Sequence, residues 1–511
     1  MRSLSGRELE LKLDLTPQEL QRVGSNPALD DLTVGKPVTM TLRSIYFDTP
    51  DHRLWARGIS LRLRAIGDKW VQTVKAGPRV KYGVSNPDEL EAAVARPEPD
   101  LGVIDDPRIR RTIERAVKAS ALEPQFETIV RRTTHKLHSD KGDLELALDE
   151  GVVRAGASED QLCEAELELK AGSPECLLET AAVLFSAEPI RLAEASKAER
   201  GYNLALGRQG GEVVPHKAER TELSGNEMCA EALISFVQSA ATQIALNRRA
   251  VLETDDPEAA HQLRVGLRRL RSALRGFRPL IDTPAARELE QYAREVGQSA
   301  GELRNADVLI ESIYAPVAGV RHGEPGFAEL RQALVQHRSR KRAEVRSALS
   351  GEQWSKLQLY LALWPQTVRG STRLETPVRD FAAAALARSW KKAAKRGSRL
   401  AALAPEERHE MRKALKMLRY MAEFFGSLYP ARKADPFVKE LKRLQEVFGY
   451  MNDVAMAKGL AAICDTWCAD KREAHRAAGY IQGWHDVKAE CIWEDVTKAW
   501  DRLAKRRRFW S

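Results

Sequence analysis

Glu164, Glu166, Glu168 and Lys170 occupy alternate positions of "CEAELELK", as do Glu8, Glu10 and Lys12 in "RELELKLDL". Strand side chains switch faces at every residue, so each segment puts its charges on one face and its aliphatic side chains on the other. "LELALDEG" places Glu145 and Asp149 together, and "SLRLR" pairs Arg62 with Arg64. One such strand reads as a solvated edge. Four of them call for a sheet whose apolar face lies under helices and whose other face is densely charged. Carboxylates at i and i+2 stand roughly 6.5–7 Å apart along a strand, so two strands carrying such pairs can converge on a divalent cation. Mg²⁺ or Mn²⁺ suits an all-oxygen ligand set. Neighbouring Arg and Lys would meet phosphate oxygens, Arg through its planar fork and Lys as a point charge. Both signs on one face point to a metal-bridged polyphosphate. Acid–base hydrolysis of a neutral substrate would need one carboxylate pair and would leave the cations unexplained.

A second set of charges repeats at helical spacing. His261, Arg264, Arg268, Arg271 and Arg275 fall within about an 80° arc of a helix, and His409, Arg412, Lys416 and Arg419 form a matching stripe. Arg388, Lys392, Lys395 and Arg399 make a third. Solvated helices normally mix signs through i,i+4 pairs, and these stripes do not, so a polyanion would relieve them. Metal binding by His261 or His409 is a poor reading because neither has a carboxylate or second His at i+4. Phosphate contact through N–H is favoured over a buried structural role. Base stacking would call for aromatic residues among the cations, and the stripes contain almost none, which argues against nucleic acid.

The elements that must position these groups divide the chain in two. Its 511 residues exceed one usual hydrophobic core. Residues 1–204 hold 29 basic against 34 acidic residues, a net −5 that leaves +14 for the remainder. The first part alternates short strand patterns ("TMTLRSIYFDT", "ISLRLRAI", "KWVQTVKAG") with helical candidates at 107–121 and 174–186, which reads as an antiparallel sheet or barrel with flanking helices. "GRQGGEVVPHKAERTELSGNE" follows as a linker. Beyond it strand patterns vanish and an all-α bundle is expected. That bundle repeats internally: both histidine stripes, and the pairs Gly301/Gly449 and Arg304/Asn452, are offset by 148 positions. The domain boundaries expected are 1–205, a linker at 206–224, and 225–511.

No apolar signal core opens the chain and no long apolar run crosses it, so a cytoplasmic protein without a membrane partner is expected. Six cysteines without a CxxC pair read as reduced structural thiols. There is no GxxxxGK[ST] phosphate loop, and no Ser-His-Asp or Cys-His nucleophile set is visible.

"ELELK" resembles the ExExK signature of the CYTH family, the triphosphate tunnel metalloenzymes. The resemblance runs through "YFDTPDHRL", "ISLRLR", "WVQTVKAG", "LALDEG", "CEAELELKAG" and "SKAERGYNL" in family order, and is greatest to the bacterial inorganic triphosphatase branch. It implies an eight-stranded antiparallel β tunnel that binds triphosphate with two divalent ions. Carried over residue by residue, Glu8, Glu10, Glu164, Glu166 and Glu168 become metal ligands, with Asp149 as a further candidate. Lys12, Arg62, Arg64, Lys75, Arg132, Lys197 and Arg200 become phosphate contacts. Glu8, Glu10, Lys12, Glu166 and Glu168 carry catalysis: in-line attack by water on the terminal phosphorus releases orthophosphate and diphosphate. One departure is "YGVSNPDELEAAV", where Asn86 and Pro87 stand at a place the branch commonly gives to Arg, while Glu89 and Glu91 preserve alternating acids.

The basic stripes resemble the CHAD domain, through "PEAAHQLRVGLRRLRSAL", "RHEMRKALKMLRYMAEFF" and "LKRLQEVFGYMND". This resemblance implies two four-helix modules whose basic groove binds inorganic polyphosphate, with association to polyphosphate granules as one consequence. Asn305 departs from it, standing where an acidic residue is usual. The C-terminal "KRRRFW" reads equally as a polyanion hook or a frayed end. Two alternatives stay open: a polyphosphate scaffold without turnover, and a hydrolase of thiamine triphosphate or a nucleotide. Aromatic residues at the tunnel mouth would favour the latter, and Trp55 and Trp70 are the candidates.

Overall fold

The computed structural model describes residues 9–67, 69–77, 80, 83–85, 88–118, 120–185, 190–207, 213–321, 323–369 and 371–510. Glu8 and the Asn86–Pro87 pair, singled out above, lie outside these residues. The chain forms two compact units, Met1–Glu212 with Ser355–Thr367, and Val213–Trp354 with Val368–Ser511.

In the first unit β1 (Leu9–Asp14), β2 (Val38–Asp48), β3 (Ile59–Ile66), β4 (Lys69–Ala76), β5 (Val84–Ser85), β6 (Asp88–Val94), β7 (Glu123–Ser139), β8 (Gly142–Ala155) and β9 (Ser158–Gly172) form one antiparallel sheet. Its order is β5-β1-β9-β8-β7-β2-β3-β4-β6. The two edge strands are near neighbours in sequence, so one passage of chain bonds to β1 with its first part and to β4 with its second. Counted as one passage they give an eight-stranded antiparallel sheet curled on itself. Closure removes the edges along which a long sheet would otherwise aggregate.

The alternation read from the sequence holds, with the aliphatic face outward. Leu11, Leu13, Leu146 and Leu167 are fully buried in one cluster beneath α1 (Pro17–Gly24), α2 (Pro27–Leu32) and α4 (Pro174–Phe185). A second cluster puts Leu61, Leu63 and Val74 under α3 (Pro107–Val117) through Ile109 and Ile113. Each such side chain removed from water contributes roughly 1.5–3 kcal/mol, enough to decide which face turns out. A further helix of the unit, α5 (Lys197–Ala205), starts at a capping box. The Glu199 amide donates to Ser196 Oγ at 3.2 Å and the Ser196 amide donates to the Glu199 carboxylate at 2.8 Å.

The second unit contains α6 (Cys229–Glu253), α7 (Pro257–Ile281), α8 (Pro284–Val308), a π-helical turn at Leu309–Tyr314 that runs into α9 (Ala315–Ala318), and α10 (Phe327–Ala348). After α11 (Glu352–Thr367) come α12 (Val378–Gly397), α13 (Pro405–Phe425), α14 (Ala431–Ala457), α15 (Leu460–Trp467) and α16 (Lys471–Lys505). The helices α6–α7–α8–α10 and α12–α13–α14–α16 are the two four-helix modules, and α7 and α13 both start at a proline, 148 positions apart. Phe236 stacks on Phe424 at 4.6 Å, and Phe277 lies against Phe381 at 4.6 Å, so both modules share one core. By length and composition α6 could cross a membrane; here Leu233, Phe236, Val237 and Ile244 are buried in that core.

The units differ from the sequence expectation at α11. Its Leu359, Ala362 and Leu363 join Leu11 and Leu13 in the first unit's core. Ser355 Oγ accepts from the Ile190 amide at 3.0 Å, and Gln358 donates to the Ile190 carbonyl at 2.6 Å. The stretch 213–224 contains no helix or strand, and it is held to the second unit by paired hydrogen bonds between His216 and Asn247.

Candidate functional site

The curled sheet encloses a cavity of about 630 Å³. Strand register sets its charges in rows. Glu10 on β1 lies opposite Glu168 on β9, which lies opposite Glu145 on β8, and all three line the cavity. Burial raises the Glu168 carboxyl, with Glu10 and Glu145 adding to the effect and Lys170 opposing it. Glu10 is buried, and its Oε2 has no hydrogen-bond partner among the described residues. An unpartnered buried carboxylate oxygen beside two further carboxylates fits a hard divalent cation.

One row deeper, Lys12 opposes Glu166; Lys12 Nζ bonds both to Glu10, at 2.6 Å, and to Glu166. Burial opposes charge on Glu166, yet Lys12, Lys197 and Arg132 hold its carboxyl well below the usual carboxylate range. Burial likewise opposes charge on Lys12, and Glu10 and Glu166 outweigh it to push the ammonium upward. Asp149, Glu164 and Glu166 are the group, among the described residues, whose carboxylate oxygens lie close enough to hold a metal ion, within 4.8 Å of one another. The Lys197 ammonium already sits among them, 2.8 Å from Asp149, 2.5 Å from Glu164 and 2.9 Å from Glu166. Arg132 forks onto Asp149 at 2.7 and 2.6 Å and also pairs with Glu166.

Further cations form a wall on β3 and β4, away from the carboxylate row on β1, β9 and β8. Arg62, Arg64 and Lys75 line the cavity, as does Arg132. Arg62 approaches Glu89 at 3.6 Å and Lys75 pairs with Glu89 at 2.6 Å. Arg64 bonds only weakly to Ser44, at 3.3 Å. The adjacent Arg62, its own burial and Arg132 push Arg64 down to about 10. A guanidinium driven that far by like charge makes an anion the most stabilising guest the wall could take.

Of the residues singled out in the sequence, Glu10, Lys12, Arg62, Arg64, Lys75, Arg132, Glu166, Glu168 and Lys197 line this cavity. Arg131 turns outward, as alternation from Arg132 requires. Three further residues lie outside the lining. Arg200 is not in the cavity lining: it bonds to Asp160 at 2.8 Å and to the Gln161 carbonyl at 2.9 Å, and approaches Glu164 at 3.6 Å. Asp149 and Glu164 are fully buried behind the lining and hold Lys197 and Arg132. Ser60, Thr73 and Tyr46 also line the cavity and were missed as site residues; Glu145, paired with Asp149 by the alternation of "LELALDEG" but not assigned as a ligand, and Trp55, a candidate for the tunnel mouth, line it too.

The segment "YFDTPDHRL" now has a physical role. The fully buried Asp48 carboxylate accepts from the amides of Thr49, Leu54 and Trp55 and from Tyr202 Oη at 3.0 Å. It thereby ties α5, and with it Lys197, to the tunnel wall. Gly201 permits the close approach, since a Cβ there would stand 2.0 Å from the Phe126 ring. Trp55 stacks on Tyr202 at 4.4 Å, and Trp70 packs outside, under α3.

In the second unit α7 and α13 bring two stripes together. Burial, then Arg268, Arg412, Arg264 and Arg419, push Lys416 down to about 6. Burial and the neighbouring Arg268 and Arg412 push Arg264 to about 9. Arg264 donates to Asn305 at 3.2 Å and Arg412 to Asn452 at 2.7 Å. Asn305 is thus a neutral acceptor at the departure noted above. His261, half-buried, is pushed down by burial and then Arg304, and the exposed His409 by burial and then Lys413. Arg271 and Arg419 lie at the edge of this cluster, and Arg275 is drawn off by Glu290 at 2.5 Å. The third stripe stands apart from it: Arg388 lies over the Phe381 ring, Lys392 and Lys395 are exposed, and Arg399 pairs with Glu407. The C-terminus is packed, with Phe509 and Trp510 buried against Phe437.

A closed charged tunnel and a duplicated cationic bundle define a two-domain class. Residues 6–202 match the CYTH domain model and residues 235–462 the CHAD domain model, so the chain is a CYTH domain followed by a CHAD domain. The inorganic triphosphatase of Haemophilus influenzae is 30% identical over 213 residues, 40% of this chain and 56% of that protein, so the match spans little more than half of the relative. An uncharacterised Mycobacterium tuberculosis protein is 26% identical over 82% of this chain and 81% of its own length. The crystal structure of the CHAD domain from the plant Ricinus communis superposes with a TM-score of 0.51 at 27% identity, covering 57% of this chain and 98% of that one.

Proposed function

We propose that the tunnel hydrolyses inorganic triphosphate to diphosphate and orthophosphate, and that the cationic face of α7 and α13 binds inorganic polyphosphate. The observation that carries the first part is the bipolar cavity: Glu10, Glu145 and Glu168 side by side, with the crowded Arg62, Arg64 and Arg132 lining the same space. The likeness to the Haemophilus influenzae inorganic triphosphatase supports it.

Glu10 and Glu168, with Glu145 and Glu166 adjoining, would hold Mg²⁺ or Mn²⁺. By the CYTH resemblance Glu8, outside the described residues, would be a further ligand, and two ions are expected. The bound metal would supply charge neutralisation and an acidified water. The chain's own groups do the rest. Arg62, Arg64, Lys75 and Arg132 bind and orient the phosphate oxygens, neutralising charge that would repel a nucleophile. Lys12 pairs with Glu10 and holds Glu166 ionised, and Lys197, clamped by Asp149, Glu164 and Glu166, offsets their charge at the cavity's inner end. Water oxygen bonds to the terminal phosphorus as the bridging P–O bond breaks, and diphosphate leaves.

Substrate class follows from the aromatic rings. Trp55, stacked on Tyr202, and Tyr46, stacked on Phe126 at 4.5 Å, are only 8% and 3% exposed, so neither presents an open ring face for a nucleobase or thiazolium to stack on. This favours inorganic triphosphate over the organic triphosphates. The six free cysteines accord with a reducing cytoplasm, where polyphosphate granules would recruit the enzyme through its helical unit.

The test is phosphate release from tripolyphosphate, ATP, thiamine triphosphate and long-chain polyphosphate with Mg²⁺ or Mn²⁺. Tripolyphosphate should be the best substrate. No turnover of any of them sinks the enzymatic reading and leaves a polyphosphate scaffold.

A further inference from the structure

The outer face of α16 carries a feature that neither the tunnel nor the cationic cluster uses. Arg472, Arg476, Gly479, Gly483, Asp486 and Glu490 follow +4, +3, +4, +3, +4 spacing, which keeps all six within about an 80° stripe. All six are exposed. The stripe is basic at one end, acidic at the other and bare of side chains in the middle, where a Cβ on either glycine would meet nothing within 4 Å. Along one edge run Tyr480, Trp484 and Val487, 41%, 37% and 64% exposed. A groove of about 460 Å³ opens beside them, floored by Val317 and rimmed by Arg321.

We infer that this stripe is a self-association surface on which a second copy of the chain docks α16 against α16, antiparallel. The occupant is identified by the order of the charges. Set antiparallel at the level of Ile481, Arg472 faces Glu490 of the second copy and Arg476 faces Asp486, and the two-fold axis repeats both pairs. Gly479 faces Gly483 twice, so the backbones can approach closely at the centre. A parallel arrangement would set like charges against each other. Arg472, Asp486 and Glu490 make no ion pair within 4.0 Å among the described residues, and Arg476 pairs only with Glu473 and Glu324 nearby. The two-fold axis also puts both aromatic edges on the same side of the helix pair. There Tyr480, Trp484 and Val487 of each copy cover one another, removing exposed apolar surface that a monomer has little reason to keep.

Sedimentation velocity of the full chain over a concentration series should show the 57.2 kDa monomer giving way to a species of twice that mass. Gly483→Leu fills the cradle where nothing crowds it and raises helix propensity, so it leaves folding intact; it should weaken the dimer at least about tenfold. Asp486→Arg should weaken it similarly, and Arg476→Asp combined with Asp486→Arg should restore it, since each pair is only reversed. A chain monomeric at every concentration overturns the inference. So does a dimer indifferent to Gly483→Leu, or one that the reversed pair fails to rescue. Sedimentation of the monomer with anionic phospholipid vesicles, lost in Gly483→Leu without any dimer, would make the stripe a membrane surface and overturn it too. Triphosphate turnover is not a readout here, so the outcome is independent of the proposed activity.

Discussion

The two charged sites of this protein solve opposite electrostatic problems. In the tunnel almost every buried charge has a partner of opposite sign: Lys197 is clamped by three carboxylates, and Glu166 is held ionised by Lys12, Lys197 and Arg132. On the α7–α13 face cations are packed against cations, and Lys416 is driven to about 6 and Arg264 to about 9, with burial leading and like charge adding. Paired charges make a rigid, preorganised cavity suited to chemistry on a metal-bound anion. Unpaired cations make a surface that is strained until an anion arrives, which suits binding alone. Each site therefore fails in its own way.

The largest effect separates them outright. Glu166→Gln, or removal of divalent cations with a chelator, should lower tripolyphosphate turnover on the order of 10³-fold, while retention of long-chain polyphosphate on a filter is unchanged. Loss of both properties in Glu166→Gln, with the fold intact by circular dichroism, would break the division of labour. Arg64→Ala should cost about tenfold to hundredfold in kcat/KM for tripolyphosphate, as expected for one charged hydrogen-bond donor, again sparing polyphosphate retention. Arg264→Ala with Arg412→Ala should do the converse, weakening polyphosphate binding about tenfold and flattening its salt dependence, with turnover of tripolyphosphate unaltered.

The smallest effect sharpens the contrast through pH. With the folded ammonium of Lys416 near 6 and the unfolded one at its ordinary value, the unfolded chain binds an extra proton between them. Stability attributable to this residue therefore falls as pH drops from about 10 toward 6. Lys416→Met should raise Tm by a few degrees at pH 7, shrink that pH dependence, and weaken polyphosphate binding severalfold. Polyphosphate should in turn pull the Lys416 ammonium upward, so wild-type binding should weaken as pH rises from 6 to 8. A binding curve flat across that range would show that Lys416 takes no part.

Much of the tunnel was legible because a strand's period is two and side chains cannot share a face by accident over four segments. The alternation of "ELELK" and "CEAELELK" placed the aliphatic residues outward and the charges inward. What alternation cannot supply is depth. It put Glu164, Glu166 and Glu168 in one line but did not tell that Glu168 reaches the cavity while Glu164 is sealed behind Lys197. Arg200 is similar: it stands only about 60° round α5 from Lys197, so helical spacing put the two on one face and could not tell that Lys197 would enter the acidic trio while Arg200 bonded to Asp160 and Gln161. The helical stripes were legible as stripes, yet which two would meet depended on how α7 and α13 pack.

By itself, then, the sequence determined the two units, the duplicated bundle, the inward face of each strand and the sign of each charged surface, because these follow from local periodicity and composition. Only the tertiary structure decided that Lys197 stands inside the acidic trio, that Asp48 anchors Tyr202, that α11 joins the tunnel's core and that the stripe of Arg388 stays apart. Those are contacts between residues far apart in sequence. They are set by closure of the sheet and packing of the helices, which no short window of residues contains.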